Sequence, residues 1–100
     1  MDQCRCVIDP GCLKLVRRQC MVSLEAISAG SRFSREYLAG MERGEGGKCA
    51  ELEIVRAYEQ AIGARVETVV LAMNNSALES LALVHDWLTR LHWAREKKLL

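Results

Sequence analysis

The sequence predicts an all-α chain, and three observations carry that expectation. Apolar residues recur at spacings of three and four, as in Leu13, Val16 and Cys20 or in Leu52, Val55, Tyr58, Ala61 and Ile62, which is the periodicity of one buried helical face. Good N-cap residues stand immediately before those periodic stretches, and the single proline, Pro10, sits where a first helical turn tolerates it. No segment shows the period-two alternation of a half-buried strand, and no internal repeat is visible.

The elements follow in chain order. Asp9-Pro10-Gly11 reads as a helix start, so a first helix is expected over about 10–21, its Lys14, Arg17 and Arg18 forming a basic outer face. Residues 1–9 are expected to be a flexible, cysteine-containing terminus. Ser23 caps a second helix over about 24–29, with Val22 placed to pack on Ile27 as a hydrophobic staple, and Phe33-Ser34 with Leu38 repeats the device for a third helix over about 35–43. Only Gly30-Ser31-Arg32-Phe33 is left to turn the chain between them, a tight helix-turn-helix of the kind that lets a second helix project into a major groove. Gly44-Glu45-Gly46-Gly47 ends the third helix. The Leu52–Ile62 stripe forms a fourth that Gly63 terminates, and a short fifth covers about 66–73. Asn74-Asn75 breaks or bends the chain, and Ser76-Ala77-Leu78-Glu79 is a capping box that opens a sixth helix reaching about Lys98. The expected organisation is therefore a terminus over 1–9, a domain over 10–73 and a C-terminal helix over 74–100.

Composition narrows the functions. Fourteen Lys and Arg against thirteen Asp and Glu give a net charge of +1, so a nucleic-acid partner would have to be met by a local patch. Residues 13–49 carry seven basic and four acidic groups, 50–86 two and six, and 87–100 four and one, so charge is segregated along the chain. The longest apolar run, Val69 to Met73, is far too short to span a bilayer, and Met1-Asp2-Gln3-Cys4-Arg5-Cys6 is no secretory leader, which together predict no membrane association and a cytoplasmic chain. Five cysteines, an odd number, argue against a disulfide scaffold. Cys4, Cys6 and Cys12 lack the paired spacing of structural zinc sites, so no metal and no cofactor is expected. His85 and His92, near Trp87 and Trp93, have no evident ligand partners and read as packing or interface residues. No nucleophile-base-acid set, phosphate loop or paired-acid motif is present, and the chain reads as a binding protein, not an enzyme.

Taken end to end, Leu13-x-x-Val16-Arg17, Ser23-Leu24-Glu25-x-Ile27-Ser28, Phe33-Ser34-Arg35-x-Tyr37-Leu38-x-x-Met41-Glu42-Arg43-Gly44 and Ile62-Gly63-x-x-Val66 resemble the lambda-repressor-like helix-turn-helix domain of the Cro and xenobiotic-response-element family, over residues 13 to about 70. The resemblance implies a five-helix DNA-binding domain with one further helix behind it. It implies a structural ion pair between Arg17 and Glu42, where composition alone would leave Arg17 an ordinary surface charge. It also implies DNA contacts at Ser23, Ser34, Arg35, Glu36, Tyr37, Gly40, Arg43 and Lys48. Arg35 suits a guanine edge or a phosphate; Glu36 suits a cytosine amino group, or equally the dipole of its own helix; Ser23, Arg43 and Lys48 suit phosphates. Arg32 stands where the family usually has glycine, which implies a modest strain or a locally altered turn.

The sixth helix carries an apolar arc of about 220°, wider than one supporting surface needs. It either completes the core of one chain or pairs with the same helix of a second, with Leu81, Val84, Trp87, Leu88 and Leu91 as the expected dimer seam. The functional expectation is a sequence-specific regulator of transcription, a repressor acting as a homodimer on a two-fold operator in double-stranded DNA. The alternative is a protein-binding derivative of the same scaffold, such as an antiactivator that sequesters a transcription factor, or an antitoxin.

Overall fold

The computed structural model describes residues 8–45, 50–73 and 81–99, the last segment with side chains from 88 to 97. The described residues form helices α1 (Pro10–Gln19), α2 (Leu24–Ala29), α3 (Arg35–Glu42), α4 (Leu52–Ile62), α5 (Val66–Ala72) and α6 (Leu81–Leu99). The expected all-α class is what the chain adopts, and the one extended pairing among the described residues is an isolated antiparallel bridge between Ile8 and Ala50.

Local chemistry sets most of the boundaries. The Asp9 carboxylate accepts from the Gly11 amide at 2.7 Å, satisfying an otherwise orphaned donor just after Pro10. Ser23 accepts from the Ala26 amide at 3.1 Å and Ser34 from the Tyr37 amide at 3.0 Å, so the two serine caps anticipated for α2 and α3 are formed. Gly63 ends α4 at φ 82°, a backbone region that glycine enters without a Cβ clash. The expected extension of α1 to residue 21 is corrected. The helix stops at Gln19, because Met21 turns left-handed at φ 58° and two return bonds close the end, Met21 N–H to Arg18 O and Val22 N–H to Arg17 O, both 3.1 Å. This is a Schellman closure with methionine in the place glycine usually takes.

The core lies where α1 to α5 converge, built from Leu13, Val16, Ile27, Leu38, Met41, Val55, Tyr58, Val66 and Val70, each at most 2 % exposed. The central helix α4 packs on α1, α2 and α6. It therefore buries Ile54 and Ala57 as well as the Leu52–Val55–Tyr58 stripe read from the sequence, leaving Ala61 and Ile62 half-buried.

Two expectations about the ends of the chain are overturned. Ile8 is buried, and its bridge to Ala50 ties the segment before α1 to the segment entering α4, so the boundary drawn at residue 9 cuts through the core. Leu91, expected in a dimer seam, is fully buried within the single chain, Ala94 is buried beside it, and Leu88 is half-buried against the same core. The reason is Arg95, one turn beyond Leu91: its guanidinium donates to both Glu67 oxygens at 2.7 and 2.8 Å and also to Glu59, which locks the C-terminal half of α6 onto α4 and α5. The side chains of Leu81, Val84 and Trp87 lie outside the described residues, as do Cys4, Cys6, Cys49 and the expected capping box at 76–79. No helix of the described residues is long and apolar enough to cross a membrane.

Candidate nucleic-acid interface

The chain between α2 and α3 is short enough that side chains must hold it. Ser28 Oγ donates to the Phe33 carbonyl at 2.8 Å and Ser31 Oγ to the Ile27 carbonyl at 2.9 Å, while the Phe33 amide donates back to Ser31 Oγ at 3.3 Å. With the polar groups tied within the turn, Arg32 needs no positive φ. Met21 is the only non-glycine residue with one among the described residues, so the strain expected at Arg32 is absent.

Helix α3 packs on both α1 and α2, and two supports bury a wide arc of it: Leu38, Gly40, Met41 and Glu42 are buried, with Tyr37 half-buried. What remains outward is Arg35, Glu36 and, past the helix end, Arg43, with Ala39 half-buried between them. Gly40, expected on the outer face, is corrected to the inner one: its position falls in the arc gripped by the two neighbouring helices. The Tyr37 ring stacks on Phe33 with centroids 5.7 Å apart and planes 19° apart, which turns it toward the rim of the core.

An ion pair anchors the far end of α3. Arg17 donates through Nε and Nη2 to the two Glu42 oxygens at 2.8 and 2.9 Å, and through Nη1 to the Val22 carbonyl at 3.1 Å. The Tyr58 hydroxyl donates to Glu42 Oε2 at 2.6 Å from α4. The Arg17 and Glu42 side chains are 15 % and 4 % exposed, so this is a partly desolvated bidentate pair joining α1 to α3, with Tyr58 binding α4 to both. The bond to Glu42 holds the Arg17 guanidinium above its ordinary pKa, and burial followed by the Glu42 bond pushes the Tyr58 phenol well above its own.

Among the described residues, the exposed Arg32, Arg35 and Arg43 around α3 each meet a carboxylate. Arg35 Nε lies 2.6 Å from Glu25 of α2, Arg32 makes two bonds of 2.7 Å to Glu53 of α4, and Arg43 reaches Glu45 at 2.7 and 3.2 Å. Arg32 also covers the Phe33 ring, 4.7 Å from its centroid. A cleft of about 300 Å³ lies between this turn and α4, with Arg32, Phe33, Glu53 and Arg56 among its walls. Among the described residues no three His, Cys, Asp or Glu side chains come together as metal ligands would, and Cys12 and Cys20 are free thiols.

The geometry thus brings Ser23, Ser34, Arg35 and Glu36 to the neighbouring first turns of α2 and α3, joined there by the Glu25–Arg35 pair. Arg43 stands at the opposite end of α3, Tyr37 and Gly40 face inward to different degrees, and Lys48 lies outside the described residues. Sequence reasoning missed Glu25, Tyr58 and the Arg95 clamp as partners. Tyr58 carried a signal, since a phenol on a core stripe needs an acceptor, and so did Arg95, a cation in register with Leu88 and Leu91. Glu25 offered none, because its partner is ten residues away across a turn. No family model, no curated protein and no solved structure matches the chain.

Proposed function

We propose that this chain is a sequence-specific DNA-binding regulator of transcription that lays the outward face of α3 in a major groove. The observation that carries the reading is the presentation of α3: a serine-capped helix after a tight turn, clamped from behind by Arg17, Glu42 and Tyr58, with Arg35 and Glu36 outward in its first turn. The resemblance to the lambda-repressor-like helix-turn-helix family supports the same assignment. Arg35 is suited to a guanine O6 and N7 or to a phosphate, Glu36 to a cytosine amino group, and Ser23 and Arg43 to the flanking backbone. With one short reading helix per chain, useful specificity calls for two copies on half-sites about 34 Å apart, and bound copies would repress by occluding a promoter in the cytoplasm.

A second reading, a protein-binding module that sequesters a transcription factor or covers a toxin, is favoured by the glutamates that meet Arg32, Arg35 and Arg43 and by the net charge of only +1. Enrichment from a random duplex library separates the two. A DNA binder enriches a short two-fold motif and releases it steeply as salt rises; no enrichment, together with a stable complex with a copurifying protein, selects the second.

A further inference from the structure

Three exposed arginines flank or begin α3, and none of them stands bare: Arg32 carries Glu53, Arg35 carries Glu25 and Arg43 carries Glu45, at nearest distances of 2.6–2.7 Å. Exposed arginines gain little from such pairs in water, so the pairs do little for the fold. Their consequence falls on whatever anion approaches α3, since each arginine must exchange a carboxylate for it, and the freed carboxylate then faces the incoming charge. A DNA phosphate merely replaces one anion by another and adds repulsion. A guanine edge accepts two bonds from one guanidinium and brings no charge up to the freed carboxylate, so it is spared that added repulsion. Discrimination by a built-in unfavourable element is a general route to specificity, and here the element lies beside the cation best placed to read a base.

Resting on the DNA-binding reading, we infer that Glu25 is a specificity-determining residue, which holds Arg35 in the free protein and penalises its use on the DNA backbone. Glu25 is placed for this: it lies in the first turn of α2, its carboxylate reaches across to the first turn of α3, and the side chains of the pair are 66 % and 51 % exposed, open to exchange. A hydrogen bond to its own backbone, and then the bond from Arg35, hold its carboxyl below the usual range, so it is ionised at neutral pH. Glu25 thus selects against nonspecific DNA more than against the cognate site.

The test is a double-mutant cycle on a nonspecific probe, with wild type and Glu25→Gln also titrated against a duplex enriched by the wild-type protein, where the gain is expected to be smaller and an equal gain overturns the inference. Full-length wild type, Glu25→Gln, Arg35→Ala and the double variant are titrated against a fluorescein-labelled 24-base-pair duplex of random sequence, at about 50 mM salt, with circular dichroism verifying the fold of each. Glu25→Gln is expected to tighten binding about fivefold when Arg35 is present and less than twofold when it is absent, since repulsion of phosphates alone survives in the second background. Equal gains in both backgrounds, or no gain, overturn the inference and leave the DNA-binding reading standing. If no form binds the duplex, that reading fails and the inference with it.

Discussion

Replacing Glu42 by alanine isolates the interaction that orients α3. The carboxylate accepts three hydrogen bonds, two from Arg17 and one from Tyr58, and its side chain is 4 % exposed. Removing it leaves the Tyr58 hydroxyl buried without that acceptor and Arg17 with only the Val22 carbonyl bond of its three. Halving a buried pair costs roughly 3–5 kcal/mol; the 15 % exposure of Arg17 and its surviving bond put the expected loss near the lower end, about 3 kcal/mol. A chain of this length has a stability of about 5–15 kcal/mol, and with a urea slope of about 1.5 kcal/mol per molar the midpoint falls by about 2 M. Tyr58→Phe, which removes one donor and leaves Glu42 paired with Arg17, is expected to lose only about 1.5 kcal/mol. The combination Arg17→Met, Glu42→Leu and Tyr58→Phe removes every charge and polar side-chain atom of the cluster, leaving only the Val22 carbonyl without its Arg17 bond, and should be more stable than Glu42→Ala alone. Urea unfolding followed by circular dichroism measures all three. A loss below about 1 kcal/mol for Glu42→Ala, or a triple variant as weak as that single one, refutes the argument that a desolvated charge sets the cost.

The other outcomes follow from single positions. Met21→Gly relieves the left-handed backbone at the end of α1, and the side chain it removes is 91 % exposed; stability should rise by about 0.5–1 kcal/mol after the extra chain entropy of glycine is deducted, which raises the urea midpoint by about 0.3–0.7 M. Leu91→Asp puts a charge in the core of the single chain and should abolish folded helix content by circular dichroism; a folded monomer in sedimentation would restore Leu91 to an interface. Burial, then the Asp9 charge, pushes the Cys12 thiol up to about 12 from an ordinary value of 9.0. Because the folded-state value is the higher, the stability it contributes is complete below pH 9 and is lost as pH rises toward 12, so Cys12→Ala should flatten the start of the alkaline decline in urea midpoint.

The parts of the fold legible in the sequence are those whose cause is local. Asp9 before Pro10, Ser23, Ser34 and Gly63 mark helix ends because each acts on amides or dihedrals a few residues away, and the burial of Leu13 and Val16 in α1 and of Leu52, Val55 and Tyr58 in α4 follows from periodicity, although Cys20, read into the first stripe, lies past the end of α1 and is only half-buried. Features that need a distant partner were not legible. The burial of Ile8 depends on Ala50, that of Gly40 on α1 and α2 gripping α3 together, and that of Leu91 on Arg95 finding Glu59 and Glu67. The wide apolar arc of α6 signalled burial but could not say against what, since a core and a dimer seam ask the same of a helix. At the candidate site the outward placement of Arg35 and Glu36 was implied by the family resemblance, which also put Tyr37 and Gly40 outward, and the carboxylate across from Arg35 was not legible at all.

The central claim, that α3 reads DNA through its first turn, is tested most directly by Arg35→Ala on a duplex enriched by the wild-type protein and on a random duplex at the same salt. Arg35 and its partner are exposed, so the fold should be unaffected. Affinity for the enriched duplex is expected to fall by about 1–3 kcal/mol, more than affinity for the random one, and preference at one base position to relax. Equal losses on both duplexes would make Arg35 a backbone contact only, and unchanged binding to the enriched duplex would contradict the placement of α3 in the groove.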